Sequence, residues 1–417
     1  MHQPDAFIAP PVRTGHAVAQ WTDEVARGLR KDHSVVCYSY REPGQPESAT
    51  LDGVEYKWIE PAPAYDRYLR KARKALDVFG LIPPDHSYFA SSLYFRHYGH
   101  RIAQDLQSDR ADIVHVQNFS QFIPTIKKYN PSAKLILHMH CDWLIELNRR
   151  WLQPRLAATD AIVCCSGYYA NGIREAWPEF ASRVHVVYNG INPEELTGIG
   201  EASPRPRECF RILFVGRVVP DKGVHILIEA FNGLAEEFPH AELAIVGSIS
   251  KYPRVSPSVH ASKELMVREL SAKFGGMAYE KYLRNHLTPA AAERVTITGA
   301  VSRTELLCRY RDSDLLVLPS ILPEGFGIPI IEAASWGLPT VATRRGGIPE
   351  VIVDGETGCL VEAGDTAGLR AAIADLVRDD VRRRRMGQAA RARALEFFTW
   401  GQIVEQLEHV YEITYDK

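Results

Sequence analysis

Two carboxylates, Glu324 and Glu332, stand eight positions apart in Pro323-Glu324-Gly325-Phe326-Gly327-Ile328-Pro329-Ile330-Ile331-Glu332-Ala333 and bracket a glycine-rich turn and the start of an apolar helix. At about 1.5 Å of rise per helical residue, that spacing spans at most about 12 Å. Carboxylates accept hydroxyl hydrogen bonds strongly, so the pair suits a ligand with a polyhydroxylated group at each end and a diphosphate between. Gly325 and Gly327 let the backbone approach such a ligand closely. A helix beginning near Gly327 and Ile328 directs unpaired backbone N–H groups at an anion. Taken alone, the pair reads more readily as one solvent-facing and one capping glutamate in an ordinary α/β crossover.

A second group of residues tips that balance. Gly216-Arg217-Val218-Val219-Pro220-Asp221-Lys222-Gly223 follows the apolar run Arg211 to Val215 and sets two cations in one loop. The Arg217 guanidinium is a planar fork for phosphate oxygens and the Lys222 ammonium a point charge, a suitable division for a departing diphosphate. Each would pass alone for a solvated loop cation. The loop of Glu324 likewise follows an apolar run, Leu315 to Leu318, stopped by Pro319.

The elements that must hold these loops follow an alternating pattern. Strand-like runs read as Ala6 to Ala9, Ser34 to Tyr40, Ile113 to Gln117, Leu135 to Met139, Ala161 to Cys165 and His185 to Tyr188, with Ala17 to Arg30 as the first crossover helix. A second series comprises Arg211 to Val215, Glu242 to Val246, Val295 to Thr298, Leu315 to Leu318, Pro339 to Ala342 and Cys359 to Val361. Strands alternating with helices predict parallel α/β layers. The segment Gly200 to Glu208, with two prolines and no apolar period, is the linker candidate. The expected organisation is an N-terminal Rossmann-like domain over 1–200, a C-terminal one over 209–396, and a final helix, 397–417, packing back toward the first domain. Ligands bind at the carboxyl ends of such strands, so two facing domains would make a deep cleft. The long stretch from Ser248 to Glu293 reads as a partly helical insertion beside it.

Composition narrows the partners. A length of 417 residues suits two domains, and 49 basic against 51 acidic side chains give a net charge of -2, which offers no case for nucleic acid. Seven cysteines form no C-x-x-C pair, and several lie in apolar runs such as Ile162-Val163-Cys164-Cys165, which fits reduced thiols in a cytoplasmic protein. Neither a signal peptide nor a membrane span is expected, because no stretch reaches about 18 apolar residues.

In order and spacing, Gly216-Arg217 with Lys222-Gly223, then Glu324 to Glu332, then Gly346-Gly347-Ile348-Pro349-Glu350, resemble the signature of retaining family 4 glycosyltransferases of the GT-B fold. The likeness extends to Asn189-Gly190-Ile191 and Phe398-Thr399-Trp400. The resemblance implies that Glu324 binds hydroxyls of a donor sugar, Glu332 the ribose, and Arg217 with Lys222 the diphosphate. It implies backbone contacts from Gly216 and from Gly325, Phe326, Gly327 and Ile328. It implies a nucleotide sugar, commonly UDP-linked, as co-substrate, with cationic side chains in place of a metal and no cofactor. The donor base, the acceptor and the oligomeric state stay open.

For the acceptor side, Lys134-Leu135-Ile136-Leu137-His138-Met139-His140 places His140 at a strand's carboxyl end, where the family carries a histidine facing the reacting sugar. Alternation sends His138 to the same side, so register does not choose between them. The first loop, Pro11-Val12-Arg13-Thr14-Gly15-His16, matches the family's adjacent glycines only at Gly15, which the resemblance makes a donor-binding residue allowing close approach to the phosphate and the acceptor. His16 is an acceptor contact or a helix N-terminal residue, and Asp142-Trp143 either line an acceptor pocket or pack in the core. Basic residues Arg67, Arg70, Lys71, Arg73 and Lys74 beside Tyr65, Tyr68, Leu69 and Phe79 suit either a solvated helix or peripheral contact with an anionic membrane bearing a lipid-linked acceptor. Arg382 to Arg385 carry the same pair of readings. A non-catalytic nucleotide-sugar-binding subunit is the remaining alternative to an enzyme acting on a small-molecule or glycan acceptor.

Overall fold

The computed structural model describes residues 17–42, 44–60, 90–196, 209–249 and 278–416, with 64–65, 68–69 and 71–72. The chain divides into two compact units, Met1–Asn189 with Trp400–Lys417, and Gly190–Thr399. Strands Ala6 to Ala9, the linker candidate Gly200 to Glu208 and most of the insertion after Ser248 lie outside the described residues.

In the first unit, α1 (Ala17–Leu29) precedes β1 (Val36–Tyr40), β2 (Ser48–Leu51) and β3 (Val54–Ile59). β1 pairs with β3 in parallel and β3 with β2 in antiparallel register, in the order β1-β3-β2. The β2–β3 hairpin is an addition to the sequence expectation. Its two-residue turn is Asp52-Gly53, and both residues are left-handed, at φ 47° and 78°, the conformation that tight hairpins require. The sheet β4-β5-β6-β7 is all parallel, from Ile113–Gln117, Lys134–Met139, Ala161–Cys164 and Val184–Val186. The last of these ends two residues short of the expected Tyr188.

The C-terminal helix, Trp400–Tyr415, supplies part of this unit's core. Ile403, Val404 and Leu407 are buried in one cluster with Trp21, Val25 and Leu29 of α1 and with Ile136 and Val163 of β5 and β6. Apolar positions at three- and four-residue intervals make this seam.

The second unit is a six-stranded parallel sheet in the order β10-β9-β8-β11-β12-β13. Its strands are β8 (Phe210–Val215), β9 (Ala241–Val246), β10 (Val295–Gly299), β11 (Leu315–Leu318), β12 (Thr340–Thr343) and β13 (Gly358–Val361). Continuous apolar runs such as Leu315-Leu316-Val317-Leu318 are buried along their whole length, as strands covered on both faces must be. Counted within the unit the order is 3-2-1-4-5-6, so the winding reverses between β8 and β11. Ligands of doubly wound sheets bind at the carboxyl ends of the strands beside such a reversal. No helix among the described residues is long and apolar enough to cross a membrane.

Candidate active site

The loops after β8 and β11 flank this switch point, and backbone contacts lock them together. β8 leads through Gly216 and Arg217 into the turn Pro220–Lys222 and on to α2 (Val224–Glu237). Gly223 joins turn and helix at φ 69°, and a β-carbon there would lie 1.9 Å from the Pro319 carbonyl oxygen. Only glycine fits both the left-handed backbone and that approach. The Ile321 amide then donates to the Asp221 carbonyl at 2.9 Å.

On this frame Lys222 Nζ donates to Glu324 Oε2, and Ser320 Oγ donates to the same oxygen at 3.2 Å. The two side chains are only 19% and 18% exposed, which removes much of the solvent screening of their attraction. A third loop, after β12, grips the backbone of Glu324. The Gly347 amide donates to the Glu324 carbonyl at 2.8 Å. Gly346 sits at φ 61°, where a β-carbon would come within 2.1 Å of that same carbonyl oxygen. Thr343 Oγ1 closes the frame by donating to the Ser320 carbonyl at 2.6 Å. Arg217, by contrast, projects into solvent, 58% exposed and 4.0 Å from Asp221.

Past Glu324, Gly325 leads to Phe326, whose ring is buried edge-on against Phe398 at 5.6 Å. Gly327, at φ 94°, begins α4. α4 (Ile328–Ser335) follows α3 (Arg303–Arg311) in the chain, and Glu332, 7% exposed, is where the two meet. Arg303 Nη1 donates to Glu332 Oε1, and Tyr310 Oη donates to Glu332 Oε2 at 2.8 Å. The other arm of the Arg303 fork donates to Glu195 at 2.6 Å, in the turn Pro193–Leu196. Burial works against the Arg303 charge, but Glu332 and Glu195 outweigh it and hold its proton more firmly than usual. Tyr310 likewise stays a donor, because burial and then Glu332 push its hydroxyl well above the ordinary tyrosine range.

In the first unit, His140 follows β5 and is half-buried. Its Nε2 lies 2.8 Å from Gln117 Oε1, and its amide donates to Asn118 Oδ1 at 2.8 Å. His138 is fully buried and stacked on His140 at 4.1 Å. Its Nδ1 is 3.2 Å from His115 Nε2, and His115 Nδ1 is 2.8 Å from Tyr411 Oη of the C-terminal helix. Burial holds the His115 imidazole down to about 3 and His138 well below its usual value, so both are neutral at pH 7. His138 is therefore sealed in the core, and His140 is the histidine at the strand's open end. Next to it, Trp143 meets Phe119 edge-on at 5.5 Å. Burial raises the Asp142 carboxyl above its usual range, and burial together with Asp142 raises Glu146 to about 7.

Gly15, His16, Arg67, Arg70, Arg73, Lys74 and Phe79 lie outside the described residues. Within the Arg382 to Arg385 run, Arg383 donates to the Leu376 carbonyl at 2.7 Å and lies over the Phe210 ring, while Arg384 pairs with Asp380. Sequence reading missed Ser320, Arg303, Tyr310 and Glu195. Ser320 stands four positions before Glu324, a spacing that could have suggested it. Arg303 has no comparable signal, since Ser302-Arg303-Thr304-Glu305 reads only as a helix start, and Ser302 does cap the Glu305 amide.

Comparison with known proteins agrees with this fold. The sequence profile of glycosyl transferases group 1 matches residues 200–393, and that of Glycosyltransferase Family 4 matches residues 18–195. The chain is 26% identical to spore coat protein SA of Bacillus subtilis, over 97% of this chain and 96% of that protein. It is 31% identical to phosphatidyl-myo-inositol mannosyltransferase of Mycobacterium leprae, over 54% of this chain and 52% of that protein. Among solved structures, HepE of Anabaena in complex with UDP and glucose aligns with a TM-score of 0.64 at 19% identity, covering 93% of this chain and 94% of that one. An α/β chain of two Rossmann-like units, with a lysine–glutamate pair at the switch point of the second, thus belongs to the group 1, family 4 glycosyltransferases of the GT-B fold.

Proposed function

We propose that the protein moves a glycosyl group from a UDP-sugar to a hydroxyl of a small-molecule or glycan acceptor, with the anomeric configuration retained. The observation that carries this reading is the Lys222–Glu324 pair on two interlocked loops beside the switch point. Glu324 accepts hydroxyls of the donor sugar, and Lys222 stands where it also meets a phosphate. Arg217, solvent-facing on the same loop, is free to swing onto the diphosphate, and the amides from Gly325 to Ile328 at the head of α4 add their N–H dipoles. Glu332 takes the ribose.

Charge grows on the leaving phosphate as the glycosidic bond breaks, and these cations and amides stabilise it in place of a metal. The leaving phosphate takes the acceptor's proton on the same face, which accounts for retention without a carboxylate nucleophile. The family resemblance gives His140 of the first unit the reacting sugar as its partner, and Asp142 and Trp143 offer a carboxylate and an aromatic face for an acceptor. The UDP choice draws support from the fold relative solved with UDP and glucose. A lipid-linked acceptor at a membrane surface draws on the name of the mannosyltransferase relative.

A thermal-shift panel of UDP, GDP and ADP, each with and without its glucose or mannose conjugate, tests the donor. Binding at 100 times Kd stabilises by about 2.7 kcal/mol, so the UDP compounds should raise Tm by several degrees. Release of UDP with added polyol acceptors, followed by NMR of the product's anomeric proton, tests turnover and retention. No shift with any of these nucleotides at millimolar concentration would sink the reading.

A further inference from the structure

Glu332 presents an unusual problem for a residue that reads hydroxyls. A carboxylate this buried is costly to leave without hydrogen-bond partners, and a diol needs an acceptor whose lone pairs are held in one direction. Arg303 and Tyr310 answer both difficulties from one helix. They are seven positions apart on α3, so they share a face, and each takes one oxygen of Glu332. The second arm of the guanidinium is tied to Glu195, so the fork has no freedom to turn away. A carboxylate offers about four lone-pair sites. Two are used here, and the others stay available in a fixed direction.

We infer that Arg303 is a positioning residue for nucleotide recognition, holding Glu332 in one rotamer so that its remaining lone pairs accept the two ribose hydroxyls. The inference rests on the ribose role proposed for Glu332. Its consequence is selectivity for ribose that depends on a side chain touching no part of the nucleotide. Glu195 extends the arrangement to the turn Pro193–Leu196, so that segment helps to fix the carboxylate as well.

The experiment compares UDP with 2′-deoxy-UDP and 2′,3′-dideoxy-UDP by calorimetry, with GDP and its 2′-deoxy form run alongside so that a guanine preference is not mistaken for weak binding. Hydrogen bonds to a charged acceptor predict about 10- to 100-fold weaker binding of the deoxy forms to the unaltered protein. In Arg303→Met the ribonucleotide should weaken by a similar factor and the deoxy forms hardly at all, which collapses the discrimination. Arg303→Lys, which restores a cation, should recover part of it. Should Arg303→Met not fold, Arg303→Gln takes its place with the same expectation. Full discrimination in a folded Arg303 variant overturns the positioning role. Equal binding of ribo and deoxy forms by the unaltered protein overturns instead the ribose reading of Glu332.

Discussion

Lys222 and Glu324, 102 positions apart in the chain, form one half-buried ion pair whose two loops share backbone hydrogen bonds. Each residue thereby fixes the direction of the other before a ligand arrives. Such preorganisation is what makes charged groups effective at a developing anion. Lys222→Met keeps the aliphatic stem and removes the charge, and it should lower turnover by about 10²- to 10³-fold. Circular dichroism establishes that the variant folds, and UDP release from a UDP-sugar measures the loss. Turnover within a few-fold of the unaltered protein would remove Lys222 from the diphosphate site.

Two glycines separate the demands of the backbone from those of the site. Gly346 and Gly355 both have positive φ, at 61° and 78°, but a β-carbon meets the Glu324 backbone only at Gly346 and meets nothing within 4 Å at Gly355. Gly355→Ala should cost about 1 kcal/mol, the penalty for a left-handed non-glycine residue, and leave turnover alone. Gly346→Ala should cost more and displace Glu324, so turnover falls as well. Denaturant unfolding and initial rates on the two purified variants check the contrast, and equal activity in both would show that the third loop does not hold Glu324.

The C-terminal helix is tested in its own unit. Ile403 and Leu407 are fully buried in the cluster with Trp21, Val25 and Ile136. Leu407→Ala should destabilise the first unit by about 2–5 kcal/mol. The change should appear as a separate early transition in calorimetry, with the second unit's transition unmoved. A single unshifted transition would contradict the assignment of this helix to the first unit's core.

Stability of the first unit should carry a signature from Glu146. Its folded pKa is raised from 4.5 to about 7 by burial and then by Asp142. The folded chain therefore binds more protons than the unfolded chain between those values, and stability falls as pH rises through that window. The buried, neutral His115, held to about 3, works the other way, since stability is lost as pH falls below its ordinary value of 6.5. The difference between the unaltered protein and Glu146→Gln isolates the carboxyl. Relative to the unaltered protein the variant should gain stability from pH 5 to 7 and level off above, as chemical denaturation at each pH would record. A constant difference across that range would refute it.

The second unit was largely legible from sequence because its strands are buried on both faces. Runs such as Phe210–Val215 and Leu315–Leu318 are then continuous apolar segments with little ambiguity, and the loops that follow them inherit their positions. The β2–β3 hairpin was passed over although Asp52-Gly53 is a strong turn signal, because both strands mix charged with apolar residues, as in Val54-Glu55-Tyr56-Lys57-Trp58-Ile59. Glu332 stands out in the sequence as a site candidate, but its partners do not. Arg303 and Glu195 are 108 positions apart, and nothing local in either segment marks a contact that only the tertiary fold creates. The choice between His138 and His140 needed the depth of the strand, which the pleat alone does not give.

The first unit's core takes residues from both Trp21 and Leu407, and this has a consequence for biosynthesis. A ribosome delivers the chain from its N-terminus at about 5–20 residues per second. All of residues 190–399 must emerge before the helix that completes the earlier unit exists. The second unit can close its sheet while the first still waits with α1 and the β5–β6 surface partly uncovered. For this chain the order of synthesis and the order of completion are reversed, and the interval between them is when chaperone contact with the first unit would matter most.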